Sequence, residues 1–153
     1  MLDSQFTKDR AAANGSSIAF LAEFEDKSAL FLADAHPDLI HDSIARLCAS
    51  RNVDRLRVDA VKVSHHGSRN NISEAMLRLI DSPRHLISSN GDRFEHPDEE
   101  CVARIIEFGK PKALYFNYDT DFTRLWTTPK AQNKYGYTAH VRAEDEAAIR
   151  VSL

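Results

Sequence analysis

The chain is poor in residues that stiffen or cross-link a fold. Its 153 residues include two cysteines, five prolines, five glycines and one tryptophan. Cys48 and Cys101 fall in helical patterns, so they read as small buried hydrophobes of a reducing compartment, not as a disulfide scaffold. No apolar run approaches the roughly 18 residues that span a bilayer, and residues 1–13 lack the apolar stretch of a secretory signal. Charge of one sign is also lacking. Twenty basic against 23 acidic side chains leave a net charge of −3, too little for a field that gathers nucleic acid or membrane. These absences predict a soluble, cytoplasmic chain with no membrane partner. Gly-x-Ser-x-Gly, Cys-x-x-Cys, Gly-x-Gly-x-x-Gly and a phosphate-binding glycine loop are missing too, which excludes the usual nucleophile and nucleotide motifs. Any catalysis would rely on a metal-activated water.

What is present is a composition 42% hydrophobic and 28% charged, sized for one domain that buries about two-thirds of its unfolded surface. Residues 1–13 read as a loose lead-in and 14–153 as a single domain. Ser17–Glu25 and Ala29–Ala33 predict a hairpin around a polar turn. His36-Pro37-Asp38 opens a helix to about Ser50, striped by Leu39, Ile40, Ile44 and Leu47. A charged loop over 51–57 leads to a strand at Val58–Ser64, then a helix at Ser73–Asp81 and a strand at His85–Ser88. His96-Pro97-Asp98 opens another helix, followed by a strand at Ala113–Tyr118. The stretch 120–134 reads as irregular, and 137–142 with 147–151 as a closing hairpin. The expected fold is a layered α/β arrangement, a mixed sheet with helices on one face.

The chemistry concentrates where strands end. Val61 to Ser68 delivers two imidazoles, His65 and His66, into a glycine turn, and neutral imidazole is the commonest ligand for a catalytic metal. Strand alternation would send the two rings to opposite faces. Gly67 permits close backbone approach, and Ser68 either caps the next segment or bonds a substrate oxygen. Asp34 ends an apolar strand, and reads either as a helix cap or as a carboxylate ligand. His96 follows the turn at Ser88-Ser89-Asn90-Gly91, on a loop where binding residues often sit. His41, His85 and His140 need no site to explain them. Tyr115, Phe116, Tyr118, Phe122 and Trp126 read as core and lid packing, since no basic run accompanies them.

Taken in order, Asn14-Gly15-Ser16-Ser17, Ala33-Asp34-Ala35, Lys62-Val63-Ser64-His65-His66-Gly67-Ser68, Ile87-Ser88-Ser89-Asn90-Gly91 and His96-Pro97 resemble the metallo-β-lactamase-fold hydrolases. The likeness is to the branch that includes the metallo-hydrolase domain of bacterial competence DNA-uptake proteins, and it covers residues 14 to 108. Ala33 stands where that motif has glycine. The resemblance implies a divalent metal, zinc or alternatively manganese, with Asp34, His65 and His66 as ligands and Asp34 as the bridge. It further implies catalytic roles for His66 and His96, and substrate contacts from Gly67, Ser68 and Asn90. The implied activity is hydrolysis of a phosphodiester or other ester by metal-activated water, with a phosphoester or nucleic acid as substrate.

The family's His-x-His-x-Asp-His motif has no counterpart here, because no two histidines are separated by one residue. The chain therefore resembles the C-terminal half of an αββα sandwich, with an incomplete metal site and little activity alone. Either a missing N-terminal half or a second copy would cover the free sheet face. The competing expectation is a non-catalytic module that acts as a dimerisation or regulatory subunit.

Overall fold

The computed structural model describes residues 6–153, and the first five residues of the expected lead-in lie outside the described residues. A single helical turn, α1 (Ala12–Gly15), precedes an antiparallel hairpin of β1 (Phe20–Phe24) and β2 (Lys27–Phe31). The sheet then grows by parallel addition of β4 (Ala60–Lys62), β6 (Arg84–Ile87), β7 (Ala113–Phe116) and β8 (Thr138–Val141). The result is one six-stranded sheet in the order β1-β2-β4-β6-β7-β8. Two further strands, β3 (Leu56–Arg57) and β5 (Ile80–Asp81), pair in parallel beside it.

Each parallel step needs a crossover. These are α2 (Pro37–Arg51), α3 (Glu74–Arg78), α4 (Glu99–Arg104) with a π turn at Ile105–Gly109, and the pair α5 (Asp121–Thr127) and α6 (Pro129–Tyr135). Crossovers are right-handed, so strands added in one direction put their helices on one face. Leu30, Val61, Val63, Ile87, Leu114 and Phe116 accordingly share one core with Ile40, Ile44, Met76, Leu77, Val102 and Ile105 of the helices.

The alternate residues face the other way. The strand register aligns Phe20, Phe31, Lys62, Leu86, Tyr115 and His140 across the six strands. Phe20 and Phe31 stack with centroids 4.7 Å apart, and Tyr115 stacks on His140 at 4.6 Å. Phe20 is 51% and Phe31 37% exposed, so no layer covers this end of the face among the described residues. Burial lowers the pKa of the Lys62 ammonium between them, and the nearby Asp34 carboxylate opposes that shift.

Three expectations are corrected. The charged loop over 51–57 ends in β3, whose Leu56 pairs with Ile80; both are buried, but two-residue strands are too short to show a period. The stretch 120–134 is helical. Thr120 and Thr123 form a capping box, and Thr128 accepts from the Ala131 N–H with Pro129 in the first position of α6. Only Thr123, Trp126 and Ala131 are buried there, too sparse a stripe to read as periodic. The closing hairpin does not form: β8 pairs with β7 alone, and residues 147–151 are not a strand. The tail is instead held at Asn117, whose Oδ1 accepts from the Ile149 N–H at 2.9 Å. Cys48 and Cys101 are free and buried, and burial pushes the Cys101 thiol far up.

His85 sits in the centre of this core at 1% exposure, with no hydrogen-bond partner for either ring nitrogen. The approach is close, since a methyl at Gly109 would lie 3.4 Å from its Nε2. Burial lowers its pKa from 6.5 to about 4. The neutral ring is therefore favoured by folding, and stability is full above pH 6.5 and falls as pH drops towards 4. Between about pH 7.5 and 5 the chain should lose about 2 kcal/mol more than His85→Leu does, from the proton linkage alone. Urea unfolding of both proteins at the two pH values measures the difference, and parallel losses would count against it.

Candidate functional site

Because the strands run parallel, the carboxyl ends of β2, β4, β6 and β7 open at one edge of the sheet, the usual place for a ligand crevice. Asp34 follows β2, the turn Ser64–Gly67 follows β4, the loop carrying Ser88 to His96 follows β6, and Tyr118 follows β7. Together they form a pocket of about 440 Å³ lined by Asp34, His65, His66, Ser88, Ser89, Asn90, Arg93, Phe94, His96 and Tyr118.

The adjacent histidines do not project to opposite faces as a continued strand would send them. His65 has φ 42°, His66 φ 56° and Gly67 φ 92°, so three successive residues take the left-handed conformation and both rings reach the same pocket. That conformation is unfavourable for residues with a Cβ and persists only where surrounding contacts impose it. Here the His65 N–H and the Ser64 hydroxyl both donate to the Ala33 carbonyl at 2.9 Å. The Ser68 N–H closes the turn on the His65 carbonyl, also at 2.9 Å. Gly67 packs on Pro97, where an added methyl would stand 2.6 Å from the proline Cβ. Ala33 is itself at φ 48°, which explains why glycine suits that position.

The three imidazoles share a pattern of partners. His65 Nδ1 lies 3.0 Å from Asn71 Oδ1 and 3.5 Å from Asp9 Oδ2. His66 Nδ1 donates to the Ser88 carbonyl at 2.7 Å. His96 Nδ1 is buried without a hydrogen bond and faces Asp98 Oδ2 at 3.6 Å. In each ring Nδ1 faces an acceptor, and in His66, whose partner is a backbone carbonyl, the proton must sit on Nδ1. The His65 centroid is 6.3 Å from that of His66 and 5.9 Å from that of His96.

Both flanking carboxyls are held below the usual carboxylate range. Removal from water raises the Asp9 pKa, but the Ala11 N–H, the amides of Asn71 and Asn14 and the charge of His65 lower it to about 2. Asp98 follows the same balance: desolvation raises it, while His96 and the Arg69 N–H hold it below the usual range.

Of the residues singled out in the sequence, Asp34, His65, His66, Asn90 and His96 line the pocket. Gly67 and Ser68 do not. Gly67 shapes the turn, and the Ser68 hydroxyl accepts from the Asn70 N–H at 3.3 Å. Asp9, Asn71 and Tyr118 were not legible as site residues. Asp9 fell in the expected loose lead-in, yet Lys8 pairs with Asp38, the Asp9 N–H donates to the Asn70 carbonyl at 3.0 Å and His36 Nε2 meets the Ala11 carbonyl at 2.8 Å. Asp9 and Asn71 are 62 positions apart, and no spacing rule links them.

Among the described residues no group of three or more His, Cys, Asp or Glu side chains is placed to hold a metal ion. A hydrolytic zinc site takes three protein ligands and a water, so these residues do not by themselves fit a closed coordination sphere. The turn itself is testable. Gly67→Ala meets both a left-handed φ and the backbone-anchored Pro97, and should cost about 2–4 kcal/mol of stability. Gly91→Ala, at φ 79°, meets the Phe122 ring edge at 2.7 Å, which can swing aside, and should cost less in the same denaturation experiment. Compared with known proteins, the chain matches no family model, no curated protein and no solved structure.

Proposed function

We propose that the chain is part of a metal-dependent hydrolase of phosphodiesters or other esters, the C-terminal half of a metallo-β-lactamase-like sandwich. The observation that carries this reading is the shared pattern of His65, His66 and His96, each with Nδ1 engaged or aimed at an acceptor and Nε2 left for an ion, beside Asp34 in one pocket. Zinc is the metal that this donor set suits best, with manganese as the alternative. The ion would supply an activated water and charge stabilisation, as such centres do. The remaining ligands come from a polypeptide that covers the face bearing Phe20, Phe31 and Leu86, either a missing N-terminal half or a second copy. Asn90, which lines the pocket, is the candidate for contact with a substrate oxygen. No membrane is involved in this reading, and no helix among the described residues is long and apolar enough to cross one.

A second reading has its own support. The stacked Phe20 and Phe31 rings are exposed at the sheet edge, and exposed aromatic clusters mark association surfaces. A non-catalytic subunit that dimerises or regulates through this face would use the same scaffold.

Metal titration separates the two readings. Calorimetry of the full chain with zinc and with manganese should show binding that weakens about tenfold or more in His65→Ala, His66→Ala or Asp34→Ala. Turnover of a chromogenic phosphodiester by the chain alone should be slight. Absence of any binding would favour the non-catalytic subunit, and vigorous chelator-sensitive turnover would show that no further ligands are needed.

A further inference from the structure

The N-terminal segment contributes a carboxylate to the pocket's hydrogen-bond network. We propose that Asp9 is a positioning residue for His65: acting through the Asn71 amide, it fixes the imidazole proton on Nδ1 and keeps Nε2 as a free base at the pocket. The use of that nitrogen as a ligand rests on the function proposed above, whereas the placement of the proton rests on hydrogen bonds alone.

Asn71 is 1% exposed, and its amide has only one orientation that satisfies its surroundings. Its Nδ2 faces Asp9 Oδ2 at 2.9 Å, the Asp34 carbonyl at 3.3 Å and the Ala35 carbonyl at 3.4 Å. A carboxylate and two carbonyls can only accept, so the NH2 group must point at them. The amide oxygen is thereby turned to His65, and an oxygen at 3.0 Å calls for a proton on Nδ1. A competing donor exists. Asn14 Nδ2 lies 3.5 Å from the same ring nitrogen, and it could supply a hydrogen bond to a bare Nδ1. Asp9 competes for that donor, because its Oδ2 accepts from Asn14 Nδ2 at 2.6 Å, and the same oxygen stands 3.5 Å from the ring nitrogen as a second acceptor.

One carboxylate therefore makes the shortest of the three contacts that orient Asn71, beside the Asp34 and Ala35 carbonyls, and also holds Asn14. Its own position is fixed by the Ala11 N–H on Oδ1 at 2.8 Å and by the bond from its N–H to the Asn70 carbonyl next to Asn71. On the far side of the ring, Nε2 has no hydrogen-bond partner among the described residues and is not among the buried orphan atoms.

Long-range proton–nitrogen NMR of the nitrogen-labelled, metal-free full chain at about pH 8 reads the tautomer directly. Wild-type His65 should show a protonated Nδ1 and a bare Nε2. In Asp9→Ala Asn14 is released and Asn71 keeps only the two longer carbonyl contacts, so part of the signal should move to a protonated Nε2. His66 is the internal control, since its Nδ1 answers to the Ser88 carbonyl and should not change. Asp9→Ser is the second variant, because its side chain is shorter and carries no charge, and the same shift is expected. A protonated Nε2 on wild-type His65 overturns the proposal, as does an unchanged His65 signal in either folded variant. Zinc affinity of the same proteins supplies the second readout, with about a tenfold loss expected. A tautomer shift with unchanged zinc affinity supports the role of Asp9 and counts against His65 as a ligand.

Discussion

The buried side chain of Asn71 ties together the segments that make the pocket. It bonds to the backbone after β2 through Asp34 and Ala35, to the turn after β4 through His65 and to the N-terminal segment through Asp9. A buried amide with every donor and acceptor engaged cannot rotate without orphaning a partner. Together with the Ala33 carbonyl, which accepts from the His65 N–H and the Ser64 hydroxyl, this group sets the relation between Asp34 and His65.

The sheet supplies the frame. Parallel strands deliver their carboxyl ends to one edge, and a crossover helix behind each strand holds its register. The left-handed turn at His65–Gly67 is tolerable only because the Ala33 carbonyl on one side and Pro97 on the other leave it no alternative. Local strain and global order are complementary here. The core under β4 and β6 is dense enough to impose an unfavourable backbone conformation at its rim, where two imidazoles are presented side by side.

Much of this was readable in the sequence, and the reasons for what was not are physical. The helix opened by His36-Pro37-Asp38 and the alternation of strands with helices follow from strong local signals, and the structure bears out the α/β class. Helices α5 and α6 escaped because their apolar residues are few, and their existence depends on caps at Thr120 and Thr128. The final strand was placed, but its partner was not, since parallel pairing with β7 depends on a crossover that periodicity does not announce. At the pocket, Asp34, His65, His66 and His96 stood out by residue type, and Asn90 through the resemblance alone. Asp9 and Asn71 did not, because a supporting hydrogen bond between distant residues leaves no spacing to detect.

The three consecutive positive φ values at His65, His66 and Gly67 also bear on how this protein can vary. A side chain replacing either histidine must satisfy a backbone that few residues accept, before any question of chemistry arises. Asn, Asp and glycine tolerate that conformation, and branched side chains do not. Genetic drift at these two codons is therefore filtered twice, once by folding and once by use. A lineage that abandoned the chemistry would still be held to a narrow alphabet there, so small polar residues at both positions would be the trace of a lost site.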